Sequence, residues 1–398
     1  MKTTNRINVV VLGALLACQA GFAQMAARAV APNAAPGHSR PFAWVKGALS
    51  TPGFCNTAYF GPGTFTFCPS GLQTAYSTNT IPSGNGGAGK TVAIVVAYHY
   101  AGAEADLNKF SSDMGLPACT TASGCLTTVT YSTMGNSGWE TEEMLDLEYV
   151  HAVAPNAKLL LVEASDDSNA SLFVGVGYAA ANADIVSNSW GGPEYPAETS
   201  DDAVFLVKKP VLFSAGDGGT GAQYPCTSKG VTCVGGTTLL PTPALLRASE
   251  TGWSSGGGGC SAFEVSPSYQ SGVGPCGSTR AVPDIAADAD PNTGVAVYDN
   301  GSYYQVGGTS LATLLMAGLF ADIMAARTTF GQVQFNYLNP PLYAGAVRNR
   351  LYFFFDVVLG NNGYPAGVGY DLVTGLGVLN GPDAANRFFG LIYSTLGK

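Results

Sequence analysis

The chain has 398 residues, of which 46% are hydrophobic and only 11% charged, and it contains 52 glycines. That composition excludes a disordered or fibrous chain and describes one compact, loop-rich α/β domain with a large core, since no repeat period or low-complexity block divides it. A formal net charge of −9 argues against nucleic acid, whose phosphates would be repelled, and suits an acidic medium in which fewer carboxylates are ionised.

At the start of the chain, Lys2 and Arg6 precede an apolar core at 9–17, and Gly21-Phe22-Ala23 offers small residues for cleavage. Residues 1–23 therefore read as a signal peptide, and export is expected. Leu15-Leu16-Ala17-Cys18 also resembles a bacterial lipoprotein box, so a lipid anchor at Cys18, in the periplasm or on the surface, is the alternative to soluble secretion. Residues 24–50 read as an Ala/Pro-rich tether, and 51–89, rich in Gly, Pro, Thr and Ser, as an irregular lead-in to a domain spanning 51–398. No later segment has the uninterrupted apolar length of a membrane span.

The first buried strand is predicted at 91–97, a β-branched run of the kind parallel sheets use. A helix at 104–114, a strand at 126–131, a helix at 139–152 and a strand at 158–163 follow. The alternation continues with a helix at 171–181, a strand at 184–190, a further segment at 201–207 and a strand at 211–215. Helices and buried strands taking turns imply a mostly parallel sheet covered on both faces, with ligands bound beyond the carboxyl ends of its strands. Gly256-Gly257-Gly258-Gly259 is too glycine-rich for an element interior and reads as backbone passing close to a neighbour; it lacks the context of a phosphate loop. Further on, the strand-like Tyr303-Tyr304-Gln305-Val306 runs into Gly307-Gly308-Thr309-Ser310 and an apolar helix.

With Cys18 set aside, the remaining cysteines fall into neighbouring couples, Cys55/Cys68, Cys119/Cys125, Cys226/Cys233 and Cys260/Cys276. Proximity suggests these as disulfides in an exported protein, although eight cysteines allow 105 connectivities.

Four residues at three places in the chain could carry chemistry. Ser310 lies where a strand hands over to a helix N-terminus, so it is either a nucleophile or an N-capping serine. Glu142 and Asp146 are four residues apart and share one helix face; held together in a dry cleft they would share a proton and form an acid/base pair. Asp217, in a glycine turn after an apolar strand, is either a turn former or a protonated donor to an oxyanion. Of the three histidines, His38 lies in the tether, His99 follows the first strand and His151 ends a helix. None is in the His-Gly-Thr setting that supplies the base of a subtilisin.

Together these words resemble the sedolisin family of serine-carboxyl peptidases, which have a subtilisin-like fold but use Glu and Asp where subtilisins use His and Asp. The resemblance runs from about 67 to 383. Phe67-Cys68-Pro69-Ser70-Gly71 resembles the start of the mature enzyme, Glu142-x-x-Leu145-Asp146 the acid pair, and Ala152-Val153-Ala154-Pro155-Asn156 the turn after it. Ser189-Trp190-Gly191-Gly192 is similar to the substrate strand, Ala215-Gly216-Asp217 to the oxyanion aspartate, and Gly307-Gly308-Thr309-Ser310 to the nucleophile motif. Two departures stand out: Gly307 replaces a serine, and Leu314 stands where the family usually has proline.

The resemblance implies a three-layer α/β fold and an acid-acting endopeptidase whose substrates are polypeptides. Ser310 would be the nucleophile, Glu142 its base, Asp146 the partner of Glu142 and Asp217 the oxyanion donor, with Ser189, Trp190 and Gly191 binding substrate. It also implies Ca²⁺ held by the carboxylates of Asp356 and Asp371 and the carbonyls of Val357, Gly367 and Gly369, a donor set that suits a hard cation. A monomer is expected. Sedolisins typically carry a long prosegment that blocks the site, whereas only the tether and lead-in precede the matching region here. The rival expectation is a sedolisin-like secreted or surface-tethered binding protein without catalysis.

Overall fold

A computed structural model describes residues 34–49, 65–81 and 85–379. The signal peptide, Cys18 and Cys55 lie outside the described residues.

In chain order the strands and helices are β1 (Arg40–Pro41), β2 (Trp44–Ala48), α1 (Pro69–Tyr76), β3 (Thr91–Ala97), α2 (Ala103–Met114), β4 (Leu126–Thr130) and α3 (Ser137–Val153). β5 (Lys158–Ala164), α4 (Asn169–Asn182), β6 (Ile185–Asn188), β7 (Trp190–Pro193), α5 (Glu198–Asp201), β8 (Val211–Ser214) and β9 (Gln223–Tyr224) follow. The second half holds β10 (Thr232–Pro241), β11 (Arg247–Gly252), β12 (Gly259–Val265), β13 (Thr279–Val282), β14 (Ile285–Asp288), β15 (Val295–Asp299) and β16 (Ser302–Gly307). It closes with α6 (Thr309–Thr329), α7 (Asn339–Phe353), β17 (Phe354–Phe355) and β18 (Val378–Leu379).

The central sheet runs β17-β18-β14-β10-β8-β6-β3-β5-β4, and every pairing from β18 to β4 is parallel. Buried β-branched and leucine runs in β3 and β5 fit a sheet covered on both faces. α4 packs on β3, β5 and β6, while α6 crosses β6, β8, β10 and β14. The mostly parallel, helix-covered α/β architecture expected from the alternation is therefore what the chain forms.

α6 is the axis of the molecule. All its residues from Thr309 to Arg327 are buried, and its 21 residues have a mean hydropathy of 1.6 in their most apolar stretch. It thus has the length and apolarity of a membrane span, contrary to the expectation that none follows the signal; wrapped by protein, it serves as the core helix. α3 is its main helical neighbour, and α3 is also buried almost all round, including Glu142, Glu143, Asp146 and Glu148.

Three local differences have physical reasons. The expected strand at 184–190 is two strands, because Ser189 leaves the sheet between β6 and β7. The expected segment at 201–207 shrinks to α5 and a 3₁₀ turn at Asp202–Val204, ahead of Pro210, which cannot continue a helix. Within the lead-in, α1 forms with Pro69 in its first turn, a helix start hidden by the glycine-rich surroundings. The stretch read as a tether is described from residue 34, and its β1 and β2 pair with β7 and β16 of the body.

Disulfides join Cys119–Cys125, Cys226–Cys233 and Cys260–Cys276, the three described couples expected from proximity. The four-glycine run does pass close to neighbours: a β-carbon on Gly257 would overlap the Ala215 carbonyl, and one on Gly258 the Leu372 carbonyl.

Candidate active site

Ser310 is the second residue of α6. Gly308 caps the helix with φ +107°, a conformation that favours glycine, so the chain turns sharply from β16 into α6. Ser310 therefore sits inside the first turn and caps nothing; its hydroxyl points towards the Ser189 carbonyl oxygen, 3.5 Å away, and the residue is fully buried. Gly307, the departure from the family's serine, has a packing reason, since a β-carbon there would come within 2.5 Å of the Ala289 carbonyl oxygen.

Glu142 and Asp146, one turn apart on α3, face this serine, and both are completely buried. Burial and the neighbouring Asp146 carboxylate push the Glu142 carboxyl well above the ordinary range, while Ser310 and the Ala43 amide act in the opposite direction. Burial likewise raises Asp146, with Ser189 and Glu142 beside it stabilising its anion. No Asp146 oxygen is engaged at full hydrogen-bond geometry. Two adjacent carboxyls in so dry a site cannot both ionise at low cost, so ionisation of one disfavours ionisation of the other.

Asp217 follows β8 through Gly216 and closes over the start of α6. Its Oδ1 accepts hydrogen bonds from Thr309 N and Thr309 Oγ1, both at 2.8 Å, and the same threonine hydroxyl accepts from Gly216 N at 3.0 Å. Thr309 thus pins the aspartate turn to the helix. Despite these donors and the nearby Arg40, burial pushes the Asp217 carboxyl up to about 7, so it is neutral in acid and able to donate. A β-carbon on Gly308 would lie 2.7 Å from Asp217 Oδ2.

On the other wall, the Trp190 ring is buried in the core, with Nε1 donating to Val95 O at 2.8 Å and the ring edge-on to Phe213. Only its backbone faces the cleft. Gly191 and Gly192 keep the strand bare: side chains there would meet Phe42 and the His38 carbonyl.

The structure therefore brings Ser310, Glu142, Asp146, Asp217 and Ser189 to one place at the carboxyl ends of the strands. The histidine rings are engaged elsewhere: His38 Nδ1 bonds to Asp167 at 2.7 Å, although the His38 backbone lies beside Gly192. His151 Nε2 bonds to the Pro117 carbonyl at 2.8 Å in a site where burial lowers its pKa, and His99 Nδ1 bonds to Glu163 at 2.8 Å. Sequence reasoning missed Arg40, Phe42, Ala43 and Thr309. Of these, only Thr309 had a signal, its place in the nucleophile word.

The proposed calcium donors form a separate loop. Asp371 Oδ1 accepts from Val373 N and Thr374 N, and Oδ2 from Gly367 N. Asp356 Oδ2 accepts from Arg350 Nη2 at 2.7 Å, while its Oδ1 is buried without a partner. An orphaned buried carboxylate oxygen beside a glycine-rich turn fits a hard cation.

This fold and this arrangement of serine and carboxylates define a member of the subtilase family, whose profile matches residues 123–339, more than half of the chain. Its relatives narrow this further, and the chain belongs to the sedolisins within that family. It is 37% identical over 182 residues to sedolisin of Pseudomonas sp. (strain 101), covering 41% of this chain and 30% of that protein. To kumamolisin of Bacillus sp. (strain MN-32) it is 32% identical over 353 residues, 78% of this chain and 61% of that one. To xanthomonalisin of Xanthomonas sp. (strain T-22) it is 30% identical over 347 residues, 68% and 40%. The chain thus spans less than two thirds of the length of these relatives. The solved structure of Pseudomonas sedolisin complexed with pseudo-iodotyrostatin superposes with a TM-score of 0.71 at 27% identity, over 84% of this chain and 100% of that one.

Proposed function

We propose that this chain is a secreted, acid-acting serine-carboxyl endopeptidase. The observation that carries the reading is the convergence of Ser310 at the α6 N-terminus with the buried Glu142–Asp146 pair. Ser310 Oγ attacks the peptide carbonyl and gives its proton to Glu142, which returns it to the leaving nitrogen; Asp146 shares charge with Glu142. Neutral Asp217, with the amides at the helix start, supports the oxyanion. Ser189, Trp190 and Gly191 would hold the substrate through their backbone, and polypeptides would be the substrate class. The three disulfides support an oxidising, extracellular destination. Ca²⁺ would be held by Asp356 and Asp371 with the carbonyls of Val357, Gly367 and Gly369, where it would brace the loop.

The test is purified full chain with a denatured protein at about pH 3–5, a range chosen to bracket ordinary carboxylate pKa values. Turnover is expected, and it should be lost in Ser310→Ala and Glu142→Gln, with a serine-directed acylating probe labelling Ser310. Full activity in Glu142→Gln would sink the assignment. Neither turnover nor labelling would instead favour a binding protein without catalysis.

A further inference from the structure

Beyond Asp146 along α3, His151 meets the disulfide Cys119–Cys125. The two Sγ atoms and one imidazole nitrogen all lie within 4.8 Å of one another. His151 and Cys119 are fully buried, while Cys125 is half-buried and follows an exposed loop, Thr121 to Gly124.

His151 Nε2 bonds to the Pro117 carbonyl at 2.8 Å, which keeps the proton on that nitrogen and leaves the lone pair on Nδ1. Nδ1 is buried with no hydrogen-bond partner. A buried acceptor without a donor is costly, and an apolar side chain would fill the same space without that cost. Burial also lowers the pKa of the ring and keeps it neutral, the form that binds metals.

We propose that, with the Cys119–Cys125 bond reduced, Cys119, Cys125 and His151 bind one divalent cation of the zinc class. The site stands apart from the peptidase reading. Two thiolates and a neutral imidazole are the donors that such an ion takes, with a water completing the tetrahedron. Asp356 and Asp371 offer oxygens and suit a different ion. Two of the three donors stand on fixed backbone, since His151 belongs to α3 and the Cys125 carbonyl accepts from Leu159 N of β5 at 2.8 Å. Zn–S bonds of about 2.3 Å in a tetrahedron set the sulfurs about 3.8 Å apart. Cys119 supplies that movement, because only the short exposed loop ties it to Cys125.

The disulfide and the metal site exclude each other. To open the site, the disulfide takes two electrons and two protons from a dithiol, which becomes a disulfide in turn. The ion then displaces both thiol protons to the medium. The thiol form is also the one that a newly made chain carries before it meets an oxidant, and there the ion would hold the two sulfurs side by side until they join.

The experiment takes the full chain, reduces it with a phosphine, removes the phosphine without air, and titrates with Co²⁺ at about pH 7, above the ordinary histidine pKa. Excess Ca²⁺ is present to occupy oxygen sites. Expected is thiolate-to-metal absorption that saturates at one Co²⁺ per chain, is displaced by Zn²⁺ and is absent from the oxidised chain. His151→Gln should weaken binding by about tenfold or more, and Cys119→Ser combined with Cys125→Ser should abolish it. Cys260→Ser combined with Cys276→Ser should leave it unchanged. Far-ultraviolet circular dichroism establishes that each variant is folded. A second readout needs no variant: Zn²⁺ should raise the melting temperature of the reduced chain and leave that of the oxidised chain where it was. Absorption that survives the Cys119/Cys125 double variant, or full affinity in His151→Gln, would overturn the proposal. So would a reduced chain that binds no Co²⁺, or one that loses its fold on reduction.

Discussion

Gly318 of α6 lies against Val153 of α3 so closely that a methyl group on the glycine would stand 2.7 Å from the valine β-carbon. This contact sets how near the two helices cross, and they carry Ser310 and the Glu142–Asp146 pair respectively. Gly318→Ala should therefore push them apart. Overpacking costs typically about 1–3 kcal/mol, offset in part by the ~1 kcal/mol alanine gains over glycine in a helix. A lower melting temperature, with kcat reduced more than KM, is expected. An unchanged kcat would show that the crossing does not position the site.

Stability should fall as pH rises. Asp217, lifted from 3.8 to about 7, and the raised acids Glu142, Glu143, Asp146 and Glu148 bind more protons folded than unfolded. Each raised carboxyl gives stability that is present in acid and lost between its unfolded and folded pKa values, which for Asp217 is about pH 4 to 7. The melting temperature should be higher at about pH 4 than at about pH 7, and Glu143→Gln should narrow the gap. A melting temperature that rises towards neutrality would contradict this.

Asp217→Asn separates charge from hydrogen bonding. The amide can accept from Thr309 and donate through its nitrogen, and it cannot ionise. Its melting temperature should exceed that of the wild type increasingly as pH passes 4 and approaches 7. Asp217→Ala, without a donor, should lose about 10²–10³ in kcat. Equal activity in the alanine variant would remove Asp217 from the chemistry.

Asp284 is buried and accepts from Arg280 at 2.8 and 2.6 Å, from Tyr343 at 2.8 Å and from Cys233 N at 2.8 Å. Arg280→Met would leave its charge without a counterion. A loss of about 3–5 kcal/mol is expected in denaturant unfolding, whereas Arg280→Met combined with Asp284→Asn should recover part of it.

If the loop at Asp356 and Asp371 holds Ca²⁺, added Ca²⁺ should raise the melting temperature and a chelator lower it, because a ligand of the folded state alone stabilises that state. Asp371→Ala should abolish the response. An identical melting curve with and without Ca²⁺ would dismiss the site.

The sheet was legible because runs such as Val92 to Val96 and Leu159 to Val162 are apolar and β-branched or leucine-rich without interruption. Spacing and glycine surroundings single out Ser310, Glu142, Asp146 and Asp217 as candidates, but their roles come only from the family resemblance, because each also reads as a cap, a solvated helix face or a turn former. Glu143 and Glu148 were not, since a helix packed on nearly every face gives no amphipathic signature to tell buried acids from exposed ones. Nor were β1 and β2: Arg40-Pro41 and Trp44 to Ala48 are strands only because β7 and β16 offer them partners far away in sequence, and no local pattern encodes that. The split at Ser189 is equally tertiary, since the run 184–190 reads as one strand until its end leaves the sheet for the cleft.

Gly191 and Gly192 give β7 two consecutive positions without a side chain. An extended chain laid along that edge meets amides and carbonyls, which every polypeptide presents alike, so most of the grip is indifferent to sequence. If β7 holds a substrate as proposed, discrimination between peptides falls to the few places where a side chain enters a recess, and the buried position of the Phe42 ring beside Gly191 is one such recess.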